Sequence, residues 1–367
     1  MLTVLFAGGG TGGHIYPNAA VVERLRERRP DVRVHFLVSD RPGDAQTMDK
    51  YGLPFTASPV QPLPSPTRPW RAFGFLASWR RGVAQATALM RTTPVGVVVA
   101  TGGFVSGPAI VAADRLGLPR ALVNLDAVPG KANRRLARLA EPIFSTYQTP
   151  VLPGARRIGL PLRRVSLMDG TRDDALHRLG LDPTRKLLFV TGATHGAESV
   201  IRTMMALVSS SDAARHLEGW QVFHQCGTFD PQQLDQHYRR AGVSAKVVAY
   251  CDVMGLAWGA ADLAISRAGA GSVAEAWANA TPTLFLPNPY HRDQHQKHNA
   301  QPLVDAGGAV IVPDLIDAER NVEAVGPTLF ALMDDDARRS SMRNALKQTR
   351  PPDGADVVAA WIDQTLG

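Results

Sequence analysis

Three glycine-rich runs bring together the residue types that a phosphate- or sugar-handling site needs. The first, Ala7-Gly8-Gly9-Gly10-Thr11-Gly12-Gly13-His14, follows a strand-like run and opens a helix. The second, Thr191-Gly192-Ala193-Thr194-His195-Gly196-Ala197, and the third, Arg267-Ala268-Gly269-Ala270-Gly271-Ser272, follow apolar runs in the same way. Small residues at a strand-to-helix turn let backbone N–H groups and the positive end of a helix dipole approach an anion or a sugar hydroxyl. Gly8-x-Gly10-x-x-Gly13, with Asp40 after the next strand, also fits a nicotinamide-dependent dehydrogenase. The two later loops favour a nucleotide-sugar enzyme, because a dehydrogenase's second domain has no use for two phosphate loops.

Around the third run stand further polar groups. Ser272-Val273-Ala274-Glu275 places a carboxylate one turn into the helix, where it either accepts both ribose hydroxyls or closes a capping box. Residues 290–299 form a polar cluster beyond a strand's carboxyl end, where open α/β sheets bind ligands, and their amide and imidazole groups suit sugar hydroxyls. His291, His295 and His298 also have a spacing that admits a metal, and Asp334-Asp335-Asp336 matches the Asp-x-Asp of metal-dependent sugar transferases. The acidic triplet lies between helical segments and suits an N-cap better. We expect neither metal nor cofactor.

Such loops need strands that end beside helix starts. Short aliphatic runs alternate with helical stretches at residues 2–7, 33–38, 95–100 and 120–124, and again at 186–191, 221–225, 246–250, 262–266, 283–287 and 309–312. This alternation predicts parallel sheets in an α/β fold: two doubly wound, Rossmann-like domains facing a cleft, residues 1–162 and 163–350. The polar segment 156–185, with Gly159-Leu160-Pro161, reads as the connection. Composition agrees, since 367 residues, 45% hydrophobic and 20% charged, are ordinary globular material for two cores. The charge of +7 suits acidic partners, but the basic residues are scattered and no nucleic-acid motif is present, so nucleic acid is excluded. No secretory signal and no apolar stretch of membrane-spanning length is found, and the two cysteines, Cys226 and Cys251, fit buried reduced thiols. A cytoplasmic, peripheral protein is expected. Trp70, Phe73, Phe75 and Trp79 alternate with Arg71, Arg80 and Arg81 in a helix too aromatic for one narrow stripe, which points to an anionic membrane surface. The alternative is a helix that packs Phe73, Leu76 and Trp79 on the core.

Taken together, Gly9-Gly10-Thr11-Gly12-Gly13-His14, Gly102-Gly103-Phe104-Val105-Ser106-Gly107-Pro108, residues 267–275 and His295-Gln296-Lys297-His298-Asn299-Ala300 resemble glycosyltransferase family 28, and the likeness runs through almost the whole chain. The resemblance implies the two-domain GT-B fold, with the last helix, 355–367, packing back on the first domain. It implies an inverting, metal-independent transfer of N-acetylglucosamine from UDP-N-acetylglucosamine to undecaprenyl-linked lipid I, forming lipid II for peptidoglycan at the inner face of the membrane. Carried over, Glu275 accepts the ribose hydroxyls, and Ala270, Gly271, Ser272, Val273 and Ala274 with Thr194 hold the diphosphate. His295, Gln296 and Asn299 read the sugar, Arg163 lies near the donor, and Cys251 meets the uracil through its backbone. Thr11, Gly12 and Gly13 face the sugar side of acceptor or donor. His14 is either the general base or a brace for the first helix, and Asp126 is the substitute base. The chain departs from the family where His-Glu-Gln-Asn becomes Val123-Asn124-Leu125-Asp126. That change keeps open another glycolipid acceptor, or UDP-sugar binding without catalysis.

Overall fold

Parallel pairing organises both halves of the chain. The computed structural model describes residues 2–10, 12–64, 70–192, 196–290 and 293–367. In the first half, β1 (Thr3–Ala7), β2 (Arg33–Ser39), β3 (Phe55–Ser58), β4 (Val95–Ala100), β5 (Arg120–Asn124), β6 (Ile143–Ser145) and β7 (Arg156–Arg157) form one parallel sheet in the order β3-β2-β1-β4-β5-β6-β7. In the second, β8 (Lys186–Thr191), β9 (Trp220–Gln225), β10 (Ala245–Val248), β11 (Leu263–Ser266), β12 (Thr283–Phe285) and β13 (Ala309–Ile311) run β10-β9-β8-β11-β12-β13, also parallel. Each order reverses direction once, at β1/β4 and at β8/β11, and the carboxyl ends there are where such sheets leave a crevice. Central strands such as β1 and β9 are buried along their whole length because helices cover both faces.

The chain divides into Met1–Arg163 with Pro351–Gly367, and Arg164–Arg350. Arg163, assigned from sequence to the second half, belongs to the first. Segment 156–185 is likewise more than a connection. Arg156–Arg157 pairs with β6 as the last strand, and the helix Arg172–Leu179 carries a full capping box between Thr171 and Asp174. Strands β3, β6 and β7 are absent from the sequence reading because they are only four, three and two residues long and none carries a run of aliphatic residues.

The helix Gly354–Leu366 lies against the helix Gly12–Arg28 within the first unit. Its start is fixed by backbone contact. The Gly159 N–H donates to the Pro352 carbonyl at 2.9 Å, and a Cβ on Gly354 would fall 1.7 Å from the Gly159 oxygen. Arg24, buried, donates to Asp353 at 3.1 Å and to the Leu162 carbonyl at 3.3 Å, while Arg28 meets Asp356 at 2.9 Å in the open and Arg29 meets Asp363. Burial makes the first pair the one that counts, since exposed pairs contribute little. Asp353→Ala, which also removes the cap on the Ala355 N–H, should therefore lower the stability of this unit by about 1.5–3 kcal/mol, the range for a hydrogen bond to a charged group, whereas Arg28→Ala should change it little. Urea melts of the two variants check the order; equal losses would remove the special role of Arg24.

Candidate active site

In the first unit the glycine run turns from β1 into the helix Gly12–Arg28, beside the carboxyl ends of β4 and β5. Gly10 adopts φ +93°, and a Cβ there would lie 2.8 Å from the Phe104 ring. Asp44, buried in the first turn of the helix Pro42–Lys50, closes the run from behind. Its Oδ2 accepts the Gly10 N–H at 2.6 Å, the Ser39 N–H at 3.1 Å and the Ser39 hydroxyl at 2.6 Å. After β4, Ser106 Oγ lies 2.6 Å from the Gly102 carbonyl and 3.0 Å from that of Ala7, tying this second turn to β1.

His14 sits where the two turns meet. Its Nδ1 is 3.0 Å from the Thr101 carbonyl, so Nδ1 carries the hydrogen and Nε2 of the neutral ring carries the lone pair. Burial pushes the imidazole below its usual 6.5, against the opposing pull of the Asp126 charge, the Thr101 carbonyl and Asp44. The shift favours the neutral form of the ring at neutral pH. Thr101 Oγ1 and Asn18 Nδ2 also donate to the His14 carbonyl, at 2.8 and 3.4 Å, so the residue braces its helix as well. Asp126 follows β5. The buried Asn124 side chain donates to the Asp126 carbonyl at 2.8 Å, lies 3.0 Å from Ser145 Oγ, and accepts from Asn133 at 3.0 Å, which fixes the backbone leading into Asp126. Burial, with the Asp126 charge second, also pushes the Tyr147 hydroxyl up.

In the second unit the helix Ala270–Ala278 begins directly after the turn from β11. Its N-cap is Gly269 with no side-chain cap, so Ser272 lies inside the first turn and the capping-box alternative for Glu275 fails. Glu275 instead accepts from Ser166 Oγ and from Trp258 Nε1, each at 2.9 Å. A Cβ at Gly269 or Gly271 would meet nothing within 4 Å, so these glycines clear the approach to the first-turn N–H groups of Ala270, Gly271 and Ser272. Arg267, just before this turn, forms a buried ion pair with Asp314 at 2.6 Å, and both side chains reach Ser199 Oγ, at 2.6 and 2.7 Å. Ser199 lies in the first turn of the helix Glu198–Val208, so one network ties that helix to the turn after β11. Burial pushes the Asp314 carboxyl up, but hydrogen bonds from Asn321 and Ser199 outweigh it and leave the group below its usual range.

The remaining expected residues separate. Val273 is buried and Ala274 partly so. The Cys251 N–H donates to Gln225 Oε1 at 3.2 Å. His295 Nδ1 pairs with Asp293 at 2.8 Å, and Gln296 Oε1 accepts the Asn288 N–H at 2.9 Å, which leaves the Gln296 amide NH₂ as its donor. Gln294 before them takes φ +46°, outside glycine's usual privilege. Asn299 is fully buried among protein partners. Arg163 donates to the Tyr51 hydroxyl and lies over the rings of Tyr16 and Tyr51, at 4.7 and 5.1 Å, in the first unit. Thr11 and Thr194 lie outside the described residues, as does the His291 of the metal spacing, and the side of Gly12 is not described. Asp335 caps the helix Asp336–Thr349, with Asp336 paired to Lys186 and Asp334 to His216. Asp44, Ser166 and Trp258 were missed. Asp44 reads in sequence as an ordinary first-turn acid, four residues beyond the Asp40 that the dinucleotide spacing singles out.

Two parallel-sheet units, each with a glycine turn at a strand end, define a fold of the GT-B type. Solved structures agree on that fold: a crystal structure of Acinetobacter baumannii MurG superposes with a TM-score of 0.77 at 22% identity over 99% of each chain, and the calicheamicin glycosyltransferase CalG4 with 0.66 at 15% over 100% of this chain and 98% of that one. The family models are more specific. The glycosyltransferase family 28 N-terminal domain matches residues 4–145 and the family 28 C-terminal domain residues 187–358, and the chain belongs to this family. Similar relatives are the proteins named UDP-N-acetylglucosamine–N-acetylmuramyl-(pentapeptide) pyrophosphoryl-undecaprenol N-acetylglucosamine transferase of a Nocardioides species, 36% identical over 100% of this chain and 98% of the relative, and of Desulforudis audaxviator, 32% identical over 100% and 99%.

If His14 is the base, kcat/KM should be flat near neutrality and fall only as pH drops below the 6.5 of an ordinary histidine. Asp126→Asn removes a charge that raises the His14 value, so its acid limb should move to still lower pH with the plateau largely kept. A pH–rate profile of both proteins decides the matter, because loss of rate at every pH would make Asp126 the base.

Proposed function

We propose that this chain is the transferase that moves N-acetylglucosamine from UDP-N-acetylglucosamine to undecaprenyl-linked lipid I, forming lipid II for peptidoglycan. The full-length likeness to relatives carrying that name supports the reading most directly. The open first turn of the helix Ala270–Ala278 takes the donor diphosphate, with Glu275 on the ribose and Gln296 and His295 at the sugar. Inversion follows from direct attack: neutral His14 takes the proton of the acceptor hydroxyl as it attacks the anomeric carbon, while N–H groups and the helix dipole stabilise departing UDP. No metal is required for that. Asp126, where the family has an asparagine, favours one second reading, a different glycolipid acceptor. Turnover with UDP-N-acetylglucosamine and a short-chain lipid I analogue, scored for UDP and the new disaccharide, separates the two, and UDP binding without any product would leave only a sugar-nucleotide binder. In the same protein, Glu275→Ala should weaken UDP by about 1.5–3 kcal/mol in calorimetry, whereas Ser166→Ala, which removes only a protein partner of that carboxylate, should leave UDP affinity near normal. Equal effects of the two would remove the ribose contact from the account.

Membrane docking through the helix Arg71–Thr92 is part of this reading. Among the described residues no helix is long and apolar enough to cross a membrane. Trp70, Phe73 and Leu76 are 67, 82 and 47% exposed, and Arg71, Arg80 and Arg81 are exposed beside them. Phe75 and Trp79, expected to share that surface, instead touch each other at 6.0 Å, and Trp79 lies over Gly107, where a Cβ would come within 2.5 Å of its ring. The core-packing alternative holds for Trp79, which packs on the core, and fails for Phe73 and Leu76, which face outward. Exposed aromatics among arginines suit an anionic headgroup layer, at about 1 kcal/mol per arginine near the surface. The full chain should sediment with anionic vesicles more than with neutral ones, release at high salt, and bind weakly once Trp70, Phe73 and Leu76 are changed to serine. Equal binding to both vesicle types would reject this surface.

A further inference from the structure

The chain enters the second unit at Arg164 and leaves it at Arg350, and both ends are fastened to the carboxyl end of the helix Ala270–Ala278. Asn279, its C-cap residue, donates from Nδ2 to the Ser166 carbonyl and accepts the Met168 N–H at Oδ1, each at 2.8 Å. At the exit, Arg350 donates to the Ala278 carbonyl at 3.1 Å and Trp277 Nε1 to Thr349 Oγ1 at 3.2 Å. The entry stretch also lies close on the helix Met254–Ala260, where a Cβ on Gly255 would collide with the Leu167 carbonyl and one on Gly259 with the Met168 side chain. These elements meet again at Glu275. Ser166 donates to its Oε1, and Trp258 of the helix Met254–Ala260 to its Oε2, each at 2.9 Å. Ser166 thus grips the helix Ala270–Ala278 twice, one turn apart, with its hydroxyl on Glu275 and its carbonyl on Asn279. Ser166 and Trp258 are buried, so water competes poorly for these bonds.

We propose that Ser166, Glu275 and Asn279 form a latch through which a nucleotide on the helix Ala270–Ala278 orders the stretch by which the chain enters the unit, residues 164–168, with Asn279 as a positioning residue. The inference rests on the transfer reading, which puts the donor ribose on Glu275. Ribose hydroxyls that donate to a carboxylate restrict its rotation, and a carboxylate held still holds the Ser166 hydroxyl in turn. Coupling of this kind needs no backbone displacement, only less motion in both partners. Leu167 and Met168 report it, because their N–H groups bond to the Arg164 carbonyl at 3.0 Å and to Asn279 Oδ1 and exchange with solvent when the stretch opens.

The test is hydrogen exchange of the full chain, read by mass spectrometry with and without saturating UDP. In the wild type UDP should slow exchange at residues 270–275, where it binds, and also at 164–170, the latter by at least about fivefold, the low end of coupling between sites. Ser166→Ala cuts the latch at the carboxylate and should keep the first effect while losing the second. Asn279→Ala cuts it at the other end with the same expected outcome, whereas a merely structural Asn279 would lower the melting temperature and leave the UDP-dependent slowing at 164–170 in place. Protection at 270–275 without any at 164–170 in the wild type overturns the inference alone, as does slowing at 164–170 that persists in a folded variant of either kind. If UDP protects neither stretch, the donor reading falls and the inference with it.

Discussion

Parallel pairing makes each strand hand the chain to a helix before the next strand can begin, so all strands of a sheet end at the same edge. At that edge the backbone leaves strands and enters helices with N–H groups that neither element can satisfy. Everything chemical in this protein is an answer to where those N–H groups find acceptors. The first unit answers with Asp44, a buried side chain on the neighbouring helix. The second caps its helix with Gly269, which has no side chain to give.

Buried charge then decides how firmly each turn is held. Arg267 and Asp314 are costly to desolvate, and the cost is offset because Ser199, Asn321 and the Leu286 carbonyl complete their hydrogen bonding. A network of that kind ties the helix Glu198–Val208 to the turn after β11, which pairwise surface contacts could not do. His14 is held by the opposite device. Its ring is neutralised by burial rather than paired, so its lone pair stays available for chemistry.

At the end of β5 the Asn124 side chain gathers the Asp126 carbonyl, Ser145 and Asn133 into one hydrogen-bonded corner, while Asp126 supplies a charge that His14 feels.

The sequence by itself determined the α/β class, the central strands and the glycine turns after β1 and β11, because strands buried on both faces must be continuously apolar and a strand-to-helix turn that approaches a ligand must be small. It also determined that Glu275 lies one turn into a helix. It left β3, β6 and β7 unread, since strands this short carry no such run. Only the tertiary structure decided which helix residue is the N-cap beside Glu275, which aromatics of the helix Arg71–Thr92 face outward, that Arg163 serves Tyr16 and Tyr51, and that Asp44 rather than Asp40 meets the first glycine turn. These are matters of a few ångströms between residues far apart in the chain. Periodicity and spacing report which face of an element is apolar, but not which polar group from another element arrives there.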